Sequence, residues 1–594
     1  MTMGNDVFAL TDGRLLRKRA YVDGTWVLAS EGAEFEVDDP ATGAVVARVP
    51  SFSAADTQAA IDAAERGLLL WRDSAPAERY RLLQRVADLM REHRQDLAKI
   101  MSVEQGKPLS ESVAEIEQSA RYYEWFAAEA RRNGGELIPG EGPGHELMAR
   151  REPIGVVAAI TPWNFPASMI ARKAAAALAA GCALVIKPAE ATPLSALAQA
   201  ELFDRAGAPA GIINFITGEP KTIGAMLTAD ERVRKLSFTG STAVGRLLMQ
   251  QCAATLKRLS LELGGNAPFI VFSDADLDAA VEGALASRLR NAGQTCVSAN
   301  RILVQREVAE VFIERLARGA ASWRMGRFDQ VGVQAGPMIN AAAVAKLQGM
   351  LAQALSAGAK LRAGGEPHEA GERFWQPTVL SDVTPQMRVA REESFGPLIP
   401  VLTFDDEAQA VALANDTEYG LAAYVYTHDL DRCHRMQHRL EVGMLAFNQP
   451  FVASEAAPFG GIKNSGFGRE GSHLGLAEYQ QVKMVAIRSR ALAPVSALAQ
   501  REQPSTRQDQ PAVAQPATLS ETRTYTPLSG PMPLPAQPLA GVDESDDEAS
   551  AGTPKRLPPE PVRMDVADPI TSGIPRAVPM QEGKPGRRMP RWPS

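Results

Sequence analysis

Between Ile154 and Gly265 the chain alternates short apolar runs with longer Ala-rich ones, and that alternation leaves few folds open. IGVVAAI (Ile154 to Ile160) reads as a buried strand, and ASMIARKAAAALAAG (Ala167 to Gly181) as a helix stopped by glycine. ALVIKP is a second strand and LSALAQAELFDRAG a second helix. Then come GIINFITG, a helix from about Lys221, the strand VRKLSFTG, the helix STAVGRLLMQQCAATL and the strand RLSLELGG. Strands separated by helices of this length predict βαβ units in a doubly wound parallel sheet. A second α/β series starts at about Asn266 and runs to about Pro458. A chain of 594 residues is too long for one hydrophobic core, so two or more domains are predicted.

Bulk properties narrow the function classes. The net charge of −7, without a large basic block, argues against a nucleic-acid partner. No apolar run approaches the roughly 20 residues that span a bilayer, so no membrane partner is expected. Acids at Asp6 and Asp12, with Gly13, interrupt the first apolar stretch and speak against a secretory leader. Four cysteines (Cys182, Cys252, Cys296, Cys433) make no disulfide framework and predict reduced thiols in a cytoplasmic setting. The composition shifts after Ser489: 19 of the 41 prolines fall in the last 104 residues. Tyr525 and Trp592 are the aromatic residues there, so the segment 491–594 is expected to be a disordered, Pro-rich tail.

The chemistry-bearing residues lie in a few short runs. Cys296 sits in NAGQTCVSANR, a loop of small polar residues rather than an apolar face, whereas Cys182 and Cys252 read as buried packing thiols. Upstream, LELGGNAP carries Glu262 outside any acidic cluster. A thiol nucleophile and a lone carboxylate form a kit for covalent catalysis on a carbonyl. In FTGSTAVG, Gly240 permits a tight strand-to-helix turn and Ser241 begins the helix, whose N–H groups and dipole suit a pyrophosphate. Gly245 would let that helix lie close to the sheet or to a ligand. No GxGxxG follows a strand, and no metal site is expected: His434 and His438, four apart, read as a solvated helix face.

These runs, with TPWNFP (Thr161 to Pro166) and EESFGP (Glu392 to Pro397), stand in the order found in aldehyde dehydrogenases. Over roughly its first 490 residues the chain resembles that superfamily and, within it, the succinate-semialdehyde dehydrogenases. The resemblance implies a dinucleotide-binding domain over 14–135 and 154–265 and a catalytic domain over 266–458. It further implies a bridging element over 136–153 and 470–490 that serves a homodimer or homotetramer. It makes Cys296 the thiolate that attacks an aldehyde, with the Asn164 side-chain amide and the Cys296 backbone N–H as oxyanion donors and Glu262 as the base that hydrolyses the thioester. Trp163, Glu393 and Phe395 are implied to line the cofactor, while Lys187 and Glu190 reach its adenosine ribose. A carboxylate at Glu190 repels a 2′-phosphate, which favours NAD while leaving NADP open through Lys187. Arg172, Arg290 and Ser454 match the positions that hold a distal carboxylate, which implies a small dicarboxylate semialdehyde. Glutarate semialdehyde, one methylene longer, is the nearest alternative substrate. A non-catalytic scaffold of the same fold is the alternative of another class. Ser298 stands where some relatives carry a second cysteine, so a disulfide switch is not expected.

Overall fold

The computed structural model describes residues 7–142 and 144–489, and the segment 491–594, expected to be disordered, lies outside the described residues. The alternating sequence folds as β1 (Val156–Ile160), α1 (Ser168–Ala180), β2 (Ala183–Lys187), α2 (Pro193–Arg205) and β3 (Ile213–Phe215). It continues as α3 (Pro220–Ala229), β4 (Val233–Thr239), α4 (Thr242–Cys252) and β5 (Arg258–Glu262). These strands pair in parallel in the order β3-β2-β1-β4-β5. Antiparallel edges extend the sheet to eight strands: Ala20–Val22 and Thr25–Val27 on one side, Gly466–Phe467 on the other. Val157 and Ala159 of β1 enter one core while Val156 and Ala158 enter another, so the sheet is covered on both faces.

Helix α1 is enclosed along its whole length. Every residue from Ser168 to Ala180 is buried, including Arg172 and Lys173, and Gly181 ends it at φ +95°. The alanines give the close approach that a helix wedged between the sheet and the helix Leu109–Ala130 requires.

The four residues LGGN lead from β5 into a second, seven-stranded sheet. Its members are β6 (Ala267–Val271), β7 (Ala299–Gln305), β8 (Thr378–Ser381), β9 (Leu398–Phe404), β10 (Ala422–Tyr426) and β11 (Met444–Phe447). They pair in parallel in the order β8-β9-β7-β6-β10-β11, with Lys360–Ala363 antiparallel at the edge. A separate antiparallel sheet joins Glu136–Pro139, His145–Pro153 and Gln480–Arg488. Residues 470–479, expected to belong to that bridging element, include instead the helix Ser472–Ala477, which packs on α1. The physical reason is Leu476, buried in the core beneath α1, and Gly475, close against Phe126. Among the described residues no helix is long and apolar enough to cross a membrane.

Candidate active site

In the first sheet the chain order reverses between β1 and β4, and in open α/β sheets ligands bind beyond the carboxyl ends of the strands at such a switch point. β1 there runs into Pro162, Trp163 and Asn164, and β4 into Gly240 and Ser241. Between them lies a cavity of about 280 Å³ whose walls include Trp163, Asn164, Ser241, Cys296, Glu393 and Phe395. Ser241 caps α4, its Oγ accepting from the Val244 N–H at 3.4 Å, and the first turn holds no acidic residue. Gly245 lets α4 pack closely here: a Cβ on it would lie 2.4 Å from Leu263 Cδ2, and the leucine side chain would have to move to admit it. These residues fit a dinucleotide: an acid-free helix start for the pyrophosphate and aromatic walls beyond it.

Trp163 and Phe395 meet edge to face, with centroids 5.5 Å apart. Phe395 is held at φ +52°, a left-handed conformation that costs a non-glycine residue about 1–3 kcal/mol and concentrates at functional sites. Glu393 Oε1 accepts from the Gly265 N–H at 3.1 Å, and burial pushes the carboxyl up to about 7. At the carboxyl end of β2, nearly buried Lys187 donates to half-exposed Glu190. Burial lowers the pKa of Lys187, and the Glu190 charge opposes that shift.

The nucleophile loop is strained. Asn291, Ala292 and Gly293 all have positive φ (+51°, +53°, +77°), which turns the chain sharply after Arg290 and presents Cys296 to the cavity. Burial pushes the Cys296 thiol up to about 12, the Glu393 charge adds to the rise, and Arg172 works against it. Deep enclosure on one side and access through the cavity on the other explain how the thiol is desolvated yet partly exposed. Asn164 Nδ2 donates to the Gln294 carbonyl at 3.0 Å, and its Oδ1 is buried without a hydrogen-bond partner. Glu262 ends β5, and both of its carboxyl oxygens are buried without hydrogen-bond partners. Burial, reinforced by Glu470, raises its pKa well above the carboxylate range.

A second, tighter pocket opens behind Cys296, walled by Gln118, Phe165, Arg172, Arg290, Thr295 and Phe459. Arg172 lies over the Tyr122 and Phe459 rings at 5.0 and 4.3 Å, with Nη1 3.7 Å from Glu470. Its Nε and Nη1 are buried without hydrogen-bond partners. Burial opposes its charge, but Tyr122, Glu470 and Cys296 outweigh that and hold its pKa above the ordinary arginine value. Arg290 lies over Phe165 at 4.9 Å and Phe451 at 5.7 Å. Ser454 is not brought into this wall. It lines the adjoining cleft, its Oγ accepts from the Ala456 N–H at 3.3 Å, and Ala453 stands in the pocket instead.

Several neighbours of these groups escape a reading of sequence. Gln118 and Tyr122 come from the helix Leu109–Ala130, where they read as ordinary helical positions, and Phe459, five residues after Ser454, reads as an ordinary apolar residue. Lys173 Nζ, 2.5 Å from Glu470, is likewise hidden inside an Ala-rich helix. Phe165 had a signal, its place within TPWNFP. Cys182 and Cys252 are buried, each thiol pushed up to about 11 by burial, whereas His434 and His438 are exposed. Ser298 Oγ accepts from Arg288 Nη1 at 2.8 Å. Among the described residues no group of three or more His, Cys, Asp or Glu side chains could hold a metal ion.

The sequence profile of the aldehyde dehydrogenase family matches residues 26–485. The chain is 51% identical over 478 residues to the glutarate-semialdehyde dehydrogenase of Pseudomonas aeruginosa, covering 80% of this chain and 99% of that protein. It is 52% identical over 478 residues to the succinate-semialdehyde dehydrogenase (NADP(+)) of Escherichia coli, with the same 80% and 99% coverage. The crystal structure of succinate-semialdehyde dehydrogenase from Burkholderia pseudomallei superimposes with a TM-score of 0.80 at 51% identity, covering 81% of this chain and 100% of the other.

Proposed function

The chain belongs to the aldehyde dehydrogenase family, and from that premise we propose that it oxidises succinate semialdehyde to succinate with NAD as the favoured cofactor. The observation that carries this reading is the position of Cys296, which lines both cavities: the one at the sheet's switch point and the one walled by Arg172 and Arg290. An aldehyde seated with its distal carboxylate on the two guanidinium groups places its carbonyl at the thiol, because arginine pairs with carboxylates through parallel N–H donors.

Cys296 loses its thiol proton to solvent, the thiolate Sγ adds to the aldehyde carbon, and the carbonyl electron pair moves to oxygen as an oxyanion that falls to Asn164 Nδ2 and the Cys296 N–H. When bound, a nicotinamide dinucleotide supplies the hydride acceptor that converts this adduct to a thioester. Glu262 then takes a proton from the water that hydrolyses the thioester. Its raised pKa belongs to the dry site. Burial is the main cause and the Glu470 charge the second, and a carboxylate raised in this way is a stronger base than a solvated one.

Ser241 and the start of α4 hold the pyrophosphate in this reading, with Trp163, Glu393 and Phe395 around the nicotinamide half and Lys187 with Glu190 at the adenosine ribose. The Glu190 carboxylate accepts from ribose hydroxyls and repels a 2′-phosphate, which supports NAD over NADP. The first sheet is then the dinucleotide-binding domain, and the second sheet carries the thiol. The antiparallel sheet of 136–153 and 480–488 exposes Leu137, Val482 and Met484, which supports its use in joining copies of the chain into a dimer or tetramer.

The test is NADH formation over semialdehydes of graded length, each with NAD and NADP. Succinate semialdehyde with NAD should show the highest kcat/KM, with glutarate semialdehyde behind it by the roughly 1–3 kcal/mol that one methylene is worth. An uncharged aldehyde of the same length matching succinate semialdehyde would overturn the assignment.

A further inference from the structure

A buried ion pair outside the reacting groups reaches the backbone of Asn164. Lys107 and Glu115 are both fully buried, with Lys107 Nζ 2.6 Å from Glu115 Oε2. The same Nζ donates to the Asn164 carbonyl at 2.7 Å and lies 4.1 Å from the centroid of the Phe165 ring. The other carboxylate oxygen, Glu115 Oε1, accepts the N–H groups of Ala167 at 2.9 Å and Ser168 at 3.1 Å. One ion pair therefore ties down both ends of the segment Asn164–Ser168, which supplies Asn164 to one cavity and Phe165 to the other. The nucleophile loop is tied to the same point, since Asn291 Nδ2 also donates to the Asn164 carbonyl, at 3.0 Å. Gln105 Nε2 in turn donates to Asn291 Oδ1 at 3.0 Å, and Glu111 accepts the Asn291 N–H at 2.9 Å.

We propose that Lys107 and Glu115 are positioning residues for the oxyanion site, fixing the Asn164 carbonyl so that its side-chain amide and the Cys296 N–H converge on one point. The inference rests on the thiohemiacetal chemistry proposed above. A helix start can be capped by a single serine or aspartate, whereas a buried ion pair must repay the desolvation of two charges and is often no more stabilising than an apolar pair. The ion pair makes physical sense as a device for placement: the ammonium donates in two fixed directions at once, to Glu115 and to the backbone it must hold. A displacement of about 1 Å at a reacting group can cost roughly 100-fold in rate.

A double-mutant cycle on the pre-steady-state NADH burst tests this, with Lys107→Met, Asn164→Ala and the pair, at saturating succinate semialdehyde and NAD. Lys107→Met should slow the burst roughly 10- to 100-fold while KM changes far less, and Lys107→Arg should restore part of the rate. In the Asn164→Ala background the same change should cost little, because the group it positions is gone. The alkylation rate of Cys296 by iodoacetamide should stay near that of the unmodified enzyme, which a collapsed site would not permit. If Lys107→Met does not fold, Glu115→Gln is read in the same cycle. Full additivity with Asn164→Ala, or an unchanged burst, overturns the positioning role. An Asn164→Ala burst as fast as the unmodified enzyme's would instead refute the oxyanion reading on which the proposal rests.

Discussion

Replacing Arg172 separates binding of a distal carboxylate from general support of the fold. The guanidinium walls the pocket behind Cys296, and its Nε and Nη1 have no hydrogen-bond partner among the described residues, Nη1 standing 3.7 Å from Glu470, which leaves donor capacity for a substrate carboxylate. A hydrogen bond to a charged group contributes about 1.5–3 kcal/mol, which at 1.36 kcal/mol per decade corresponds to roughly 10- to 100-fold in kcat/KM. Arg172→Met also removes contacts over Tyr122 and Phe459, but that loss falls equally on every substrate. Glu470 is not stranded, because Lys173 remains 2.5 Å away. The decisive quantity is therefore a ratio: kcat/KM for succinate semialdehyde over that for butanal, which lacks the carboxylate. That ratio should fall about 10- to 100-fold in Arg172→Met and in Arg290→Ala. The two guanidinium groups share one ligand, so the double mutant should fall short of the product of the single losses. Equal losses on charged and uncharged aldehydes would show that the arginines support the loop and pocket rather than the substrate.

Four further outcomes are expected. Glu262→Gln should keep the NADH burst but lose turnover at the thioester, as rapid-mixing absorbance would show, and full steady-state activity would refute its role as base. Glu190→Thr should raise kcat/KM with NADP by removing like-charge repulsion, and an unmodified enzyme that already prefers NADP would contradict the reading of this carboxylate. The Cys296 thiol, raised to about 12, should be alkylated in the resting protein about tenfold faster per unit of pH between 8 and 10, and a plateau near pH 8 would disprove the desolvated site. Glu104 is buried and its carboxyl is raised from 4.5 to about 8 by burial, so between those values the folded state holds more protons than the unfolded one. Stability from this group is therefore present below about 4.5 and lost as pH rises through about 8, and Glu104→Gln should flatten the fall of the thermal midpoint between pH 5 and 8.

How far the sequence alone discloses such a site depends on whether chemistry is written locally. The βαβ series was legible because period and length are local properties: IGVVAAI and ALVIKP are too short for helices and read as buried strands, Gly181 marks a helix end by its left-handed backbone, and Ser241 marks a helix start by its capping hydroxyl. Cys296 and Glu262 stood out because their neighbours are small and polar or glycine, unlike a packing face. Lys107, Glu115 and Gln118 were hidden for the opposite reason. A lysine in the loop before the 22-residue helix Leu109–Ala130 and a glutamate among that helix's acids both read as solvated, and nothing nearby says that the Asn164 carbonyl, 57 positions after Lys107, takes up the ammonium. Ser454 shows the same limit from the other side. Its position matches a substrate-holding one in the resemblance, yet one residue of register puts Ala453 in the wall, and the serine hydroxyl accepts from the Ala456 N–H. What a short motif conveys is which atoms react. The groups that place those atoms come from distant elements, and a buried charge becomes intelligible only when its partners across the fold are seen.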